Sequence, residues 1–232
     1  MAEMRALLLD TAGATLMAAI AVNGEILARL CEESPSQRYH SAALAAKLRT
    51  MLESLALTPQ DLTALAVHIG PGSFTGLRTG LTTARVMGQF LPLTCYAFTA
   101  FDLLRAAQPP DDAPLGIALD ALQGRAYAAI CDASGAWRQP PALVTLDAWR
   151  DSLPAGARAL ISASLASAWD DSTGERRRMQ PIESLGLFTP QLMMDLVTRG
   201  APSTPWGELL PLYLQSPNIT LRADASSKKP PA

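Results

Sequence analysis

The segment His68-Ile-Gly-Pro-Gly-Ser-Phe-Thr-Gly-Leu-Arg-Thr-Gly80 holds the residues best suited to chemistry. An apolar stretch runs into a glycine-rich turn, and Ser73 stands where a following helix would be capped. Backbone N–H groups left free at such a helix start bind anions. The spacing excludes three known loops. No GxxxxGK(S/T) can be drawn, and the segment has no lysine. Gly70 and Gly72 are followed by Gly76, one residue late for GxGxxG. Pro71 and Thr75 occupy the glycine positions of a GxSxG elbow around Ser73.

Histidine count limits the chemistry further. The chain has two, His40 and His68, on different elements, so a His-x-x-x-His metal pair cannot be drawn anywhere. No carboxylate cluster at ligand spacing accompanies them. Neither has a Ser or Cys partner in a recognisable motif, so a hydrolytic triad is unsupported. His40 opens a helix, in a capping or surface role. His68 lies in an apolar strand and reads as a buried, hydrogen-bonded histidine. Asp10 and Thr11 end the first strand, where Asp10 is placed to accept N–H bonds of its own turn. Cys31, Cys95 and Cys131 form no CxxC pair and read as structural thiols of a reducing compartment. A net charge of −2 lacks the basic stripe of a stand-alone nucleic-acid binder. The longest uncharged apolar run, Ala14–Val22, is far short of the ~20 residues that span a bilayer. With no signal peptide legible, the expectation is a cytoplasmic protein with no membrane association.

These residues must be positioned by the elements around them. Arg5–Asp10, Thr15–Val22 and Glu25–Cys31 read as a three-stranded meander, its second turn marked by Asn23-Gly24. A helix is expected over about 40–55, a strand over Leu65–Ile69 and a helix from Ser73 to about Phe90. Leu93–Phe98 (strand) and Ala100–Ala107 (helix) complete a first domain, 1–108. The proline-rich Pro109–Pro114 marks a boundary. The layout then partly restarts: strand Leu115–Asp120, turn at Gly124, strand Arg125–Cys131. A helix near 146–152, a strand near 158–162 and a helix near 190–199 follow in a second domain, 109–222. Residues 223–232 read as a disordered tail.

In the second helix Gly76, Gly80, Ala84 and Gly88 recur every four residues, one stripe nearly without side chain. Each helical glycine costs about 1 kcal/mol relative to alanine. The stripe therefore requires close approach by another backbone, either the chain's own sheet or a partner helix. The first helix carries a comparable small face, Ala42, Ala43, Ala46 and Thr50, opposite its leucines.

GPGSFTGLRTG resembles the signature of the TsaB (YeaZ) family. LLLDTA, RYHSAAL, ALDALQGRAYAA and PLYL (Pro211–Leu214) support it in order along the chain. The resemblance implies a duplicated α/β fold of the actin/hexokinase/Hsp70-like (ASKHA) type. It implies a non-catalytic subunit for N6-threonylcarbamoyladenosine formation in tRNA. The expected partners are a TsaD-like transferase and a TsaE-like ATPase, with tRNA met indirectly and a homodimer formed when the chain is alone. The implied interface comprises His40, Ala43, Leu44, Ala46, Thr50, Gly76, Arg78, Gly80, Ala84 and Gly88. A degenerate nucleotide or anion site would be Asp10, Thr11, Gly72, Ser73 and Asp120. No cofactor is required, and ATP or ADP at the domain cleft is disfavoured by two departures. Leu122 stands where relatives often have arginine, and Ile161-Ser-Ala-Ser-Leu replaces a later glycine turn. Where TsaD-like proteins carry HxxxH, this chain has Phe98 and Asp102. The rival readings are an ATP-dependent transferase or kinase using Asp10, Gly72, Ser73 and Asp120, and a metallopeptidase. Arg176-Arg177-Arg178 reads as a solvated loop and is the first place to seek a tRNA contact.

Overall fold

The computed structural model describes residues 3–33, 37–109, 111–167, 169, 179–182 and 189–214, with the backbone alone for 37–43. The Arg176–Arg178 run and the tail from Ala223 lie outside the described residues.

Leu7, Leu8 and Leu9 in succession suit a strand buried on both faces. They form the middle of β1 (Arg5–Asp10), between antiparallel β2 (Thr15–Val22) and parallel β4 (Ala64–Gly70). β3 (Glu25–Glu33) and β5 (Thr94–Thr99) are the edges, giving the order β3-β2-β1-β4-β5. Asn23 and Gly24 take positive φ (50° and 92°), as an Asn-Gly hairpin turn requires. β6 (Leu115–Asp120), β7 (Arg125–Cys131), β8 (Trp137–Thr145), β9 (Arg158–Ile161) and β10 (Met179–Pro181) form the second sheet, ordered β8-β7-β6-β9-β10. Strand order and direction repeat, so the expected duplication is present at the level of topology. β8 was not legible in the sequence. Its Pro140 and Pro141 fall at a register shift of an edge strand, where a missing donor is tolerated.

Side chains alternate across the first sheet. Leu7, Leu9, Leu65 and Val67 face α1 (Gln37–Ser54) and α2 (Phe74–Phe90), packing with Leu44, Leu48, Leu52, Leu77 and Leu81. Ala6, Leu8, Ala64 and Ala66 face the other way. Their small volume admits α3 (Ala100–Ala106) and α6 (Thr189–Thr198), through Leu103, Met193, Met194 and Val197. α4 (Leu146–Asp151) and α5 (Ala163–Ala166) serve the second sheet, where Trp149 packs edge-on against Trp169.

The described residues within 109–222 pack in two places. After the second sheet the chain returns to the first. α6 covers its alanine-rich face, Leu209 enters its other core, and Leu212 N–H donates to the Ile69 carbonyl at 2.7 Å.

The small-residue stripe is settled by the same packing. A Cβ on Gly76 would lie 2.0 Å from the Thr11 carbonyl oxygen, and one on Gly80 would lie 2.4 Å from Thr11 Oγ1. One on Gly88 would lie 2.6 Å from Trp206, and Ala84 is fully buried. As interface residues Gly76, Gly80, Ala84 and Gly88 are therefore corrected: what they admit is the chain's own, the Thr11 carbonyl at Gly76 and the Thr11 and Trp206 side chains at Gly80 and Gly88. Gly76→Ala should destabilise by more than ~3 kcal/mol, since a backbone oxygen cannot move aside. Gly124→Ala meets open space but keeps φ at +72°, and should cost about 1 kcal/mol. Urea unfolding of both variants checks the contrast.

Candidate functional site

Period two along β1 and β4 puts Ala6, Leu8 and Asp10 on one face with Ala64, Ala66 and His68. The carboxylate and imidazole thus meet at the C-terminal ends of adjacent parallel strands. His68 Nδ1 lies 2.9 Å from Asp10 Oδ1, which also accepts the Ala12 N–H at 2.9 Å. Thr189, at the start of α6, donates its hydroxyl to Asp10 Oδ2. Both groups are buried. Burial pushes the Asp10 carboxyl up. The His68 charge and the bonds from His68, Thr189 and the Ala12 N–H outweigh it and hold Asp10 below the ordinary carboxylate value. A carboxylate only accepts, so Nδ1 is the donor nitrogen. Nε2 is buried with no partner among the described residues.

Thr11 points to the opposite face and donates to the Gly76 carbonyl at 2.7 Å. Gly70 (φ +112°) turns the chain out of β4, and Ser73 N–H donates to the Ala12 carbonyl at 2.7 Å. A Cβ on Gly72 would sit 2.7 Å from that same carbonyl oxygen. Ser73 caps α2 as its position predicts, its Oγ accepting the Gly76 N–H at 3.1 Å. The glycine loop is thus seated on the first hairpin turn. Ser73 and Gly76 N–H, which an anion would use, already have acceptors within the chain.

The second half repeats the turn. Asp120 Oδ1 accepts the Leu122 N–H at 2.7 Å, as Asp10 accepts that of Ala12. Ser164 donates to Asp120 Oδ2 at 2.7 Å, and Asp120 N–H donates to Ser162 Oγ at 3.1 Å. Thr11, Gly72 and Ser73 therefore meet at the first hairpin turn, whereas the Asp10 carboxylate lies on the other face of the sheet and Asp120 is bonded within its own half. Thr189, Ser162 and Ser164 were missed in the sequence. The Asp10–His68 pairing was available from strand periodicity. Among the described residues no group of three or more His, Cys, Asp or Glu is placed to hold a metal ion.

Of the expected interface residues, Leu44 is buried in the sheet-facing core, while Ala46 and Thr50 are exposed on the outer side of α1. The side chains of His40 and Ala43 lie outside the described residues. Arg78 is exposed, its guanidinium 4.5 Å above the Phe74 ring. No helix among the described residues is long and apolar enough to cross a membrane.

A structure of YeaZ from Pseudomonas aeruginosa superposes over 91% of this chain and 100% of its own, with a TM-score of 0.64 at 19% identity. A second structure, of a protein with similarity to peptidase YEAZ from Pseudomonas aeruginosa, gives 0.67 at 20% over the same coverage. The family model for tRNA N6-adenosine threonylcarbamoyltransferase, TsaD, matches residues 33–173. The tRNA threonylcarbamoyladenosine biosynthesis protein TsaB of Bacillus subtilis (strain 168) is 28% identical over 124 residues, 53% of each chain. A Mycobacterium tuberculosis (strain ATCC 25618 / H37Rv) protein is 32% identical over 98 residues, 42% of this chain and 46% of that one. The chain spans about half the length of the curated relatives it matches.

Two sheets of one topology, with helices on both faces of the first, define a duplicated actin-like α/β protein. The chain belongs to the TsaD family, on its TsaB/YeaZ side.

Asp10→Ala should orphan three donors and cost roughly 3–5 kcal/mol. Because the folded pKa of Asp10 is depressed, its contribution is fully present above the unfolded value of about 3.9. It is lost as pH falls through the folded pKa. Chemical unfolding between pH 7 and pH 2 should show a flatter acid dependence for Asp10→Asn than for the natural chain.

Proposed function

We propose that the chain is a non-catalytic subunit in forming N6-threonylcarbamoyladenosine in tRNA, acting in the cytoplasm beside a TsaD-like transferase, with a TsaE-like ATPase in the same assembly. The outer side of the helical layer carries this reading. At 100° per residue, Thr75, Thr79, Thr83, Val86 and Phe90 share one facet of α2. Phe90 is 76% exposed and Val86 50%, on a helix whose opposite side is fully packed. Two threonines of this facet bond back to their own helix, Thr79 to the Thr75 carbonyl and Thr83 to the Thr79 carbonyl, both at 3.0 Å. Their hydroxyls are thereby satisfied and their methyl groups remain for contact. Ala46 and Thr50 of α1 lie outward on the same layer. Short side chains around one large aromatic anchor suit helix-on-helix docking. The same surface serves a two-fold homodimer when the partner is absent.

Two observations support the non-catalytic assignment. Two histidines cannot supply a His-x-x-x-His pair. Both carboxylate oxygens of Asp10 are engaged inside the fold, which weighs against a kinase-like use of that residue and against any need for ATP.

Size-exclusion chromatography with light scattering tests the proposal, on the chain alone and mixed with the TsaD-like protein of the same organism. A homodimer that gives way to a mixed complex is expected. Phe90→Arg and Ala46→Arg should each weaken that complex at least about 30-fold with unchanged melting temperature. A natural chain that stays monomeric and ignores the TsaD-like protein would overturn the assignment.

A further inference from the structure

α2 has a second outward facet, one residue and so about 100° around from the first: Phe74, Arg78, Thr82, Arg85 and Gln89. All five are exposed. Phe74 stacks on Tyr213 with ring centroids 5.3 Å apart and 25° between planes, and the Arg78 guanidinium lies 4.5 Å from the Phe74 centroid. Tyr213 remains 43% exposed. Beside this column is a recess of about 230 Å³, lined by Arg78, Thr82, Arg85, Leu209, Pro211 and Tyr213. Neither arginine has an ion pair among the described residues. α2 contains no Asp or Glu, and Glu208 is the one acidic residue between Pro202 and Leu214. α1 and α2 together carry Arg38, Lys47, Arg49, Arg78 and Arg85 against Glu53 alone, in a chain of net charge −2. Composition averaged over the chain concealed this segregation.

We infer that the Phe74–Arg78–Arg85–Tyr213 facet binds a single-stranded segment of RNA, with an unpaired base on the open face of Tyr213 and phosphates at Arg85 and Arg78. Unpaired cations on an acid-free helix attract a polyanion. A partly exposed aromatic ring beside them offers a base a stacking surface that an acidic polypeptide would not need. The inference deepens the proposed function, and rests on it for the identity of the RNA. The partner facet and this one are adjacent and share no residue.

Fluorescence anisotropy of labelled unmodified tRNA, and of a mixed-sequence single-stranded oligonucleotide, tests it on the full chain and on its mixture with the TsaD-like protein. Tyr213→Ala should weaken RNA binding about tenfold while Tyr213→Phe stays near the natural chain. Arg85→Ala should weaken it and lower the salt slope by roughly 0.7, the value for one phosphate of a single strand. Inorganic polyphosphate should respond to Arg85→Ala and not to Tyr213→Ala. RNA affinity and salt slope unchanged in both variants, or no RNA bound in either sample, would overturn the inference. Loss of the TsaD-like protein with RNA binding intact would overturn it too, by showing an acidic protein surface as the occupant. If the natural chain fails to join the TsaD-like protein, the proposed function falls, and the RNA titration of the chain alone still decides the facet.

Discussion

The turn Asp10–Thr11–Ala12 is held from three sides, and the first half of the molecule is arranged around it. Asp10 takes bonds from β4 and from the start of α6. Thr11 holds the first turn of α2 through the Gly76 carbonyl, and the Ala12 carbonyl receives the glycine loop. Alternation along one strand sends the carboxylate to one face of the sheet and the threonine to the other. Consecutive residues thereby fix helices on opposite faces. The cost of this arrangement is glycine in α2. A helix that touches a backbone carbonyl cannot carry a Cβ at the contact, and the propensity lost there is recovered in packing and hydrogen bonds.

That arrangement changes what the fold's shared turn does. In this chain the first turn closes on itself. Its carboxylate is buried among three donors, and a metal or phosphate would have to displace bonds that the fold uses. The second turn keeps the same Asx geometry at Asp120, but its carboxylate receives Ser164 and its N–H goes to Ser162, in place of the His68 and Thr189 bonds of the first turn. Leu122 and Gln123 take φ of +65° and +55°, so the tip is strained as well as exposed. The two halves share topology and turn chemistry while differing in what covers the turn. Such divergence fits a duplicated scaffold whose surface, more than its cleft, carries the function.

Much of this was legible in the residues. The opening meander, the Asn23-Gly24 turn, the Ser73 cap and the echo of the first unit after Pro114 all rest on local chemistry. β8 was hidden by its two prolines, which matter only in a central strand. The return of α6 was hidden because a helix pattern does not say which sheet it covers. Its Met193, Met194 and Val197 answer the alanines of β1, β2 and β4, a complementarity visible only once the strands are placed. The glycine stripe was readable as a close approach, but not for whose backbone. That question depended on Thr11, sixty-five residues before Gly76 in sequence and in contact with it through space.

The stripe's burial also decides which sides of α2 are left to solvent. With Gly76, Gly80, Ala84 and Gly88 turned inward, the two facets left to solvent carry opposite chemistries one residue apart in phase. The threonine, valine and phenylalanine facet has almost no charge to desolvate, so docking a helix there gains from apolar burial with little penalty. The arginine facet would be a poor protein core for the same reason: Arg78 and Arg85 keep their hydration unless an anion replaces it. A helix with one packed side, one apolar side and one cationic side has three different neighbours to satisfy. The first is the chain's own hairpin turn. The other two sides face solvent, and what each could accept is set by its side chains.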